Sequence, residues 1–441
     1  MRTAILSCPI LVLVLGAAGC GKVHLPGSSA DATPGAPDSA GPGPVTVRVL
    51  SFDGLRTPLE GVKVGFFAPD GGHQATVETD GDGAATSDLE AGGAVAAFLD
   101  GPPAGVAGPV VRLVLGVAPG DEIVIAGDSF HSGEPPVTMN VVLPALAGSV
   151  FYDLSTSCGN YGSNTTTVAI SFYPECDNDT FSFVATASGD AGRHYLRGEN
   201  VPVVASGTYE APGSWQMTPN RPFLFTEVPD EAGTVDVGVF GVRTGDHQID
   251  VHLLRDSAVV AEDMITLHPD RIPNYDETMI WSTVRAEQPA LGTFNYVRWL
   301  GPDDPTDSNL GELKLPWMTQ VIYDNASRGL DWRLIGSGEF DATYVTLIAS
   351  INDGKVFTEV EWFVVAPPGI EEIVLPELPD ELSRYFISDP EYVNAFGQIV
   401  DSDQLDGYDA ARPKGFDPSY FPAREPLGSL TRSSFSGGGV D

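Results

Sequence analysis

Positive charge is what this chain most lacks. It has 23 Lys and Arg against 60 Asp and Glu, a formal net charge of −37. Such a body repels nucleic acid and anionic lipid surfaces and attracts cations. No nucleic-acid partner is therefore expected. Dispersal of an exported protein in water is sufficient reason for most of the charge. The chain also lacks the short signatures of common catalysts. It has no GxSxG elbow, no HExxH, no P-loop, and no GxGxxG after a strand,. A non-enzymatic protein is expected. A glycosidase using a carboxylate pair needs no local motif, so a hydrolase is kept as the third reading. Long helical periodicities are scarce as well, while Gly (50) and Pro (36) are plentiful. Together these predict many turns and mostly β structure.

Long apolar runs are confined to one place, Ile5 to Leu15. At about 20 residues for a membrane-spanning helix, this run is too short to cross. It follows a single positive side chain, Arg2, and precedes small residues and Cys20, the order of a secretory signal,. The ending Ala17-Ala18-Gly19-Cys20 resembles the bacterial lipoprotein signal, with Ala17 where Leu is the commoner residue. That resemblance implies cleavage of residues 1–19 and a diacylglyceryl group on the Cys20 thiol. With about 0.8 kcal/mol per buried methylene, several acyl chains give stable attachment to a membrane. Gly21 after the anchor leans towards the outer membrane of the cell envelope. Residues 20–44 are read as a flexible tether, because Pro26 to Pro44 contains only Gly, Ser, Thr, Ala, Pro and Asp,.

Cysteine is nearly absent from the rest. Of four, Cys8 leaves with the signal and Cys20 takes the lipid, which leaves Cys158 and Cys176. Two thiols in an exported chain are expected to form one disulfide, worth about 3 kcal/mol for a loop of this size.

The body reads as all-β, with tandem β-sandwich (Ig-like or transthyretin-like) domains and an irregular C-terminal tail. Strand and turn signals divide it into 45–146, 147–267 (carrying the disulfide) and 268–378. An irregular extension, 379–441, has a disordered end. In the first unit, Pro58-Leu59-Glu60-Gly61-Val62-Lys63-Val64 and Thr79-Asp80-Gly81-Asp82-Gly83-Ala84-Ala85 stand in order along alternating strands. These segments resemble the carboxypeptidase-regulatory-like, or transthyretin-like, β-sandwich family. The resemblance implies a non-catalytic module. Within the second unit, Ser149–Tyr152 and Thr167–Tyr173 are predicted to pair as a hairpin that the disulfide would pin. In the third, Asn352-Asp353-Gly354-Lys355 predicts a hairpin turn between two apolar runs,.

Candidate ligand sites are few. Asp401, Asp403, Asp406 and Asp409 place four carboxylates in nine residues, a possible calcium site because hard cations want oxygen clusters,. Their spacing departs from the EF-hand loop. Asp303, Asp304, Asp307 and Asn309 form a second cluster, and Asp80 with Asp82 a third. His252 and Asp250 would share a strand face, the pattern of a polar sheet surface. Trp362 reads as core and Trp317, after Pro316, as the tryptophan most exposed. The functional expectation is a lipid-anchored envelope protein, non-catalytic, with a structural or binding role. The alternative is a carbohydrate- or calcium-dependent adhesion module. Expected partners are the membrane, through the anchor, and an envelope protein or glycan.

Overall fold

The structure, a computed structural model, describes residues 41–51, 57–100, 108–127, 137–156, 159–172, 179–190, 192–218, 222–230, 232–242, 252–260, 264–268, 277–286, 292–300, 307–311, 315–352, 357–387, 390, 392–414 and 430–436. About 63% of the described residues are strand and helix is almost absent among them, as the composition predicts.

The first seven strands build a sandwich. They are β1 (Gly43–Ser51), β2 (Lys63–Phe67), β3 (His73–Glu78), β4 (Ala84–Leu89), β5 (Gly93–Leu99), β6 (Val110–Val117) and β7 (Glu122–Gly127). One sheet runs β4-β1-β7, and the facing layer runs β6-β5-β2-β3. β1 shows why: Val45, Val47 and Val49 are fully buried while Thr46 and Arg48 alternate outward, the two-residue period of a half-buried strand. An Asp turn joins β3 to β4. Asp80 Oδ1 accepts the backbone N–H of Asp82 and of Ala84, each at 2.9 Å.

Strand β5 departs from that alternation, since all seven of its residues are buried. Val95, Ala97 and Leu99 face the core of the sandwich, while Ala94, Ala96 and Phe98 face a different and larger core. A strand covered on both sides reads as a continuous apolar run. Something therefore packs on the outside of this sandwich.

The second unit comprises β8 (Val137–Val142), β9 (Tyr152–Thr156), β10 (Gly159–Ser163), β11 (Thr167–Phe172), β12 (Thr180–Gly189), β13 (Gly192–Pro202), β14 (Thr208–Glu210) and β15 (Gln216–Met217). Its sheets run β10-β9-β12-β13-β15 and β11-β8-β14, around a core including Leu154, Ile170, Phe172, Phe183 and Val201. The expected hairpin between the segments around Tyr152 and Thr167 does not form. β9 pairs with β10 and β12, whereas β11 pairs with β8 in the other sheet. The polar strand Gly159–Ser163, too hydrophilic to be read as a strand, takes the hairpin partnership. Cys158 and Cys176 lie outside the described residues, as does Cys20. The boundary expected at 146/147 moves too, since Val137–Val142 opens the second sandwich.

The remaining strands are β16 (Phe223–Thr226), β17 (Ala232–Val242), β18 (His252–Val259), β19 (Met264–Leu267), β20 (Glu277–Ala286), β21 (Thr293–Leu300), β22 (Ser308–Asn309), β23 (Trp317–Asp324), β24 (Gly329–Ile335), β25 (Ala342–Asn352), β26 (Phe357–Ala366), β27 (Glu372–Val374), β28 (Tyr392–Ser402) and β29 (Leu430–Ser436). Eight of them join the outer layer of the first sandwich in one twelve-stranded sheet, β18-β17-β20-β21-β29-β28-β25-β26-β6-β5-β2-β3. The seam is the parallel pairing of β26 with β6, from Glu361 opposite Val110 to Val365 opposite Val114. Layers β23-β24-β27 and β19-β16-β22 share the large core with this sheet.

Two expectations change here. The boundary at 267/268 cuts through the large sheet, because β17 pairs with both β18 and β20. The stretch read as an irregular extension contributes β28 and β29, placed between β21 and β25. Its alternation is hidden by polar outward residues such as Asn394 and Gln398. Gly397 allows the cover layer to approach, since a Cβ there would lie 2.1 Å from the Met318 side chain. Trp362 is core as expected, with its Nε1 donating to the Tyr385 carbonyl at 3.0 Å. Trp317 is also buried, with its ring centroid 3.8 Å from that of Phe294. Pro316 ends the preceding segment, and the strand after it runs inward rather than out to solvent.

Candidate functional site

The densest described arrangement of polar and ionisable side chains lies where the C-terminal segment meets the first sandwich. It has two linked parts. The first is a row across the inner face of four neighbouring strands. Register places Tyr296 of β21 opposite Arg432 of β29, and Arg432 opposite Asp401 of β28. Asp341, immediately before β25, follows through its backbone N–H, which donates to the Val400 carbonyl. Arg432 and Asp401 form a mostly buried ion pair. Burial raises the Tyr296 phenol above its ordinary range and lowers the Arg432 guanidinium, as desolvation of charge requires,. The Tyr296 hydroxyl and Arg432 Nε are both buried without a hydrogen-bond partner among the described residues.

Asp341 fastens the turn that follows β28. Its carboxylate accepts the Ser402 N–H at 2.8 Å and the Gly407 N–H at 3.0 Å. Burial is the larger influence and raises its pKa, against the lowering by those two N–H groups and by Arg432. Gly407 sits at φ +74°, a conformation that Gly adopts without strain, and so the chain turns into the short helix α1 (Tyr408–Ala411),.

The second part is the reach of α1 into the first sandwich. The Tyr408 hydroxyl donates to the Leu115 carbonyl at 2.7 Å, and burial pushes its pKa up. Arg412 donates through one terminal nitrogen to the Gly116 carbonyl at 2.6 Å and through the other to Asp121 at 3.0 Å. Asp409 pairs with the same guanidinium at 3.0 Å. A small apolar cluster of Ala342, Tyr344, Val365, Val400 and Ala411 is packed beneath, with Leu405 and Tyr408 against it. The charges of this region are engaged by protein partners, which is the chemistry of a joint.

The acidic cluster read from the sequence is dispersed by this arrangement. Asp401 serves Arg432 and Asp409 serves Arg412. Asp403 donates its backbone N–H to the Leu430 carbonyl, and Asp406 acts on Asp341 only as a neighbouring charge. Among the described residues no three His, Cys, Asp or Glu side chains are gathered as metal ligands would be. Asp303, Asp304 and Asp250 lie outside the described residues, and His252 begins β18. Sequence reasoning missed Asp121, Asp341, Tyr408 and Arg412. The available signal was the rarity of cations: in so acidic a chain, an Arg four residues after a Tyr and directly before a Pro is a candidate for burial.

Among the described residues no helix is long and apolar enough to cross a membrane. No known protein family matches the chain by sequence, and no curated protein matches it. Among solved structures, the chain is similar to the Bacillus anthracis TIE protein at 9% identity, over 60% of this chain and 49% of that one, with a TM-score of 0.17. It thus spans about half the length of that protein. It is similar to the major pilin subunit of Bacillus cereus at 10% identity, over 61% of this chain and 98% of that one, with a TM-score of 0.17. A third is a pair of B repeat units of the collagen-binding protein of Staphylococcus aureus, at 9% identity over 81% and 92%, with a TM-score of 0.13. None of these likenesses assigns a function or a family to this chain.

Proposed function

We propose that this chain is a lipid-anchored cell-envelope protein that acts without catalysis, as a rigid arm with a structural or binding role. The observation that supports the rigid arm is the seam. A sandwich that begins directly after the tether is continued by β26 into the C-terminal sheet. The Arg412 reach to Gly116 and Asp121 braces the same junction. One continuous sheet following an N-terminal anchor suits a protein held at a surface that presents a fixed face outward.

In this reading Cys20 carries the lipid, the envelope location is the outer membrane, and Cys158 pairs with Cys176. The first sandwich is a transthyretin-like module of the carboxypeptidase-regulatory-like kind. Its segment order, with the Asp80 turn closing between β3 and β4, supports that assignment. Metabolic labelling with a palmitate analogue tests the anchor. The wild type should carry label and Cys20→Ala should not. Label that persists in the variant overturns the anchor.

A further inference from the structure

We infer that the outer face of β28 is a binding platform for an uncharged polysaccharide. The inner face of this strand is committed to the core through Ala395 and Ile399. The alternate residues Tyr392, Asn394, Phe396 and Gln398 therefore point the other way, so that aromatic and amide side chains alternate along one face,. Phe435 of β29 sits opposite Gln398. Its ring lies nearly parallel to that of Phe396, at 14° with centroids 6.1 Å apart. Thr346 and Ile348 of β25 lie opposite Phe396 and Asn394 and extend the floor. The α1 segment covers the end of this face at Tyr344 and Val400. Beyond it Phe396, Gln398, Asn394 and Phe435 keep part of their surface, and Tyr392 is 47% exposed.

Partly open aromatic surface interleaved with amides has the composition of a binding face. The chemistry on this one selects its occupant. A pyranose offers an apolar C–H face to stack on flat rings, and hydroxyls that both donate and accept. Amides match those hydroxyls because they also do both. Asn394 Oδ1 is buried with no hydrogen-bond partner among the described residues, so rotation of this side chain out to a hydroxyl would give it a partner that it lacks. From Tyr392 to Phe396 the strand advances roughly 13 Å at about 3.3 Å per residue, long enough for several linked sugars. The net charge of −37 disfavours an anionic chain such as alginate,.

This inference rests only on the binding part of the proposed function, and the palmitate experiment at Cys20 is blind to it. It is tested by native affinity electrophoresis of the full chain in gels holding a soluble β-glucan, a mannan, a galactan or alginate. At least one neutral polysaccharide should retard the wild type, and alginate should not. Phe435→Leu keeps apolar bulk but removes the ring, and should weaken the retardation about tenfold at an unchanged melting temperature. Gln398→Ala should weaken it by a smaller factor. The inference is overturned if no neutral polysaccharide retards the protein, if alginate alone does, or if both variants are retarded as strongly as the wild type.

Discussion

Arg412 and Asp121 meet at 3.0 Å across the boundary between the C-terminal turn and the first sandwich, with only 8% and 17% of their side chains exposed. The pair sits beside the β6–β26 seam, since the same guanidinium holds the Gly116 carbonyl next to the end of β6. Removing the cation leaves a carboxylate buried without its partner. Arg412→Ala should therefore destabilise the protein by about 3–5 kcal/mol. Arg412→Lys should recover only part of this, because one ammonium does not reproduce a fork that serves two acceptors at once. Urea unfolding of both variants measures the difference, and a loss below about 1 kcal/mol for Arg412→Ala would show that the brace carries little.

Asp341 gives a pH dependence with a defined sign. Its folded pKa lies above the unfolded value of 3.8, chiefly through burial. The native state then holds the proton more tightly than the unfolded chain. This group's contribution is full below 3.8 and is lost as pH rises through the raised folded value,. In that window Asp341→Asn should flatten the stability profile. The substitution also exchanges one accepting oxygen for an NH₂ that faces a backbone N–H. Amide hydrogen exchange at Ser402 or Gly407, whichever loses its acceptor, should accelerate, and unchanged exchange at both would contradict the geometry.

Gly397 should not tolerate a side chain. A Cβ would fall 2.1 Å from Met318 Cε and 2.7 Å from a Val321 methyl. Gly397→Ala should cost about 1–3 kcal/mol through overpacking. Combining it with Met318→Ala should return part of the loss, whereas additive losses in thermal melts would mean that the clash lies elsewhere.

Calcium should leave the melting temperature unchanged. Asp401 and Asp409 already hold Arg432 and Arg412, and an incoming cation would have to displace both. A rise in melting temperature with millimolar calcium, abolished by Asp403→Ala with Asp406→Ala, would reverse this expectation.

Local structure was legible in the sequence where apolar residues alternate clearly with polar ones or where turn residues stand between apolar runs. The alternation of Val45, Val47 and Val49, the Asp80 turn, and the runs flanking Asn352 all announced themselves within a few residues. What connects distant parts of the chain was not legible. β6 and β26 pair although Val110 and Glu361 are far apart in sequence, and no local pattern encodes which edge a strand joins. β5 hinted at it, since a strand buried on both faces needs a second layer. The joint was hidden for a related reason. Asp401 and Asp409 look like ligands when only neighbours in sequence are counted, and their arginines arrive from elsewhere in the fold. The aromatic and amide alternation of Tyr392 to Gln398 was on the page as sequence, but meant little until Ala395 and Ile399 were known to face inward.

The seam also sets an order of events. While the chain is being made from its N-terminus, the first sandwich has all seven of its own strands long before β26 emerges,. Until then β6 is a bare sheet edge, with backbone groups from Val110 to Val114 unpaired on one side. The second sandwich must be made in the meantime. Contacts of such separation close slowly, and an open apolar edge is a template for the wrong partner. The most hazardous stage in the folding of this protein is thus the interval between the two halves of one sheet, and destabilising that late closure should cost yield of folded protein before it costs anything in the finished fold.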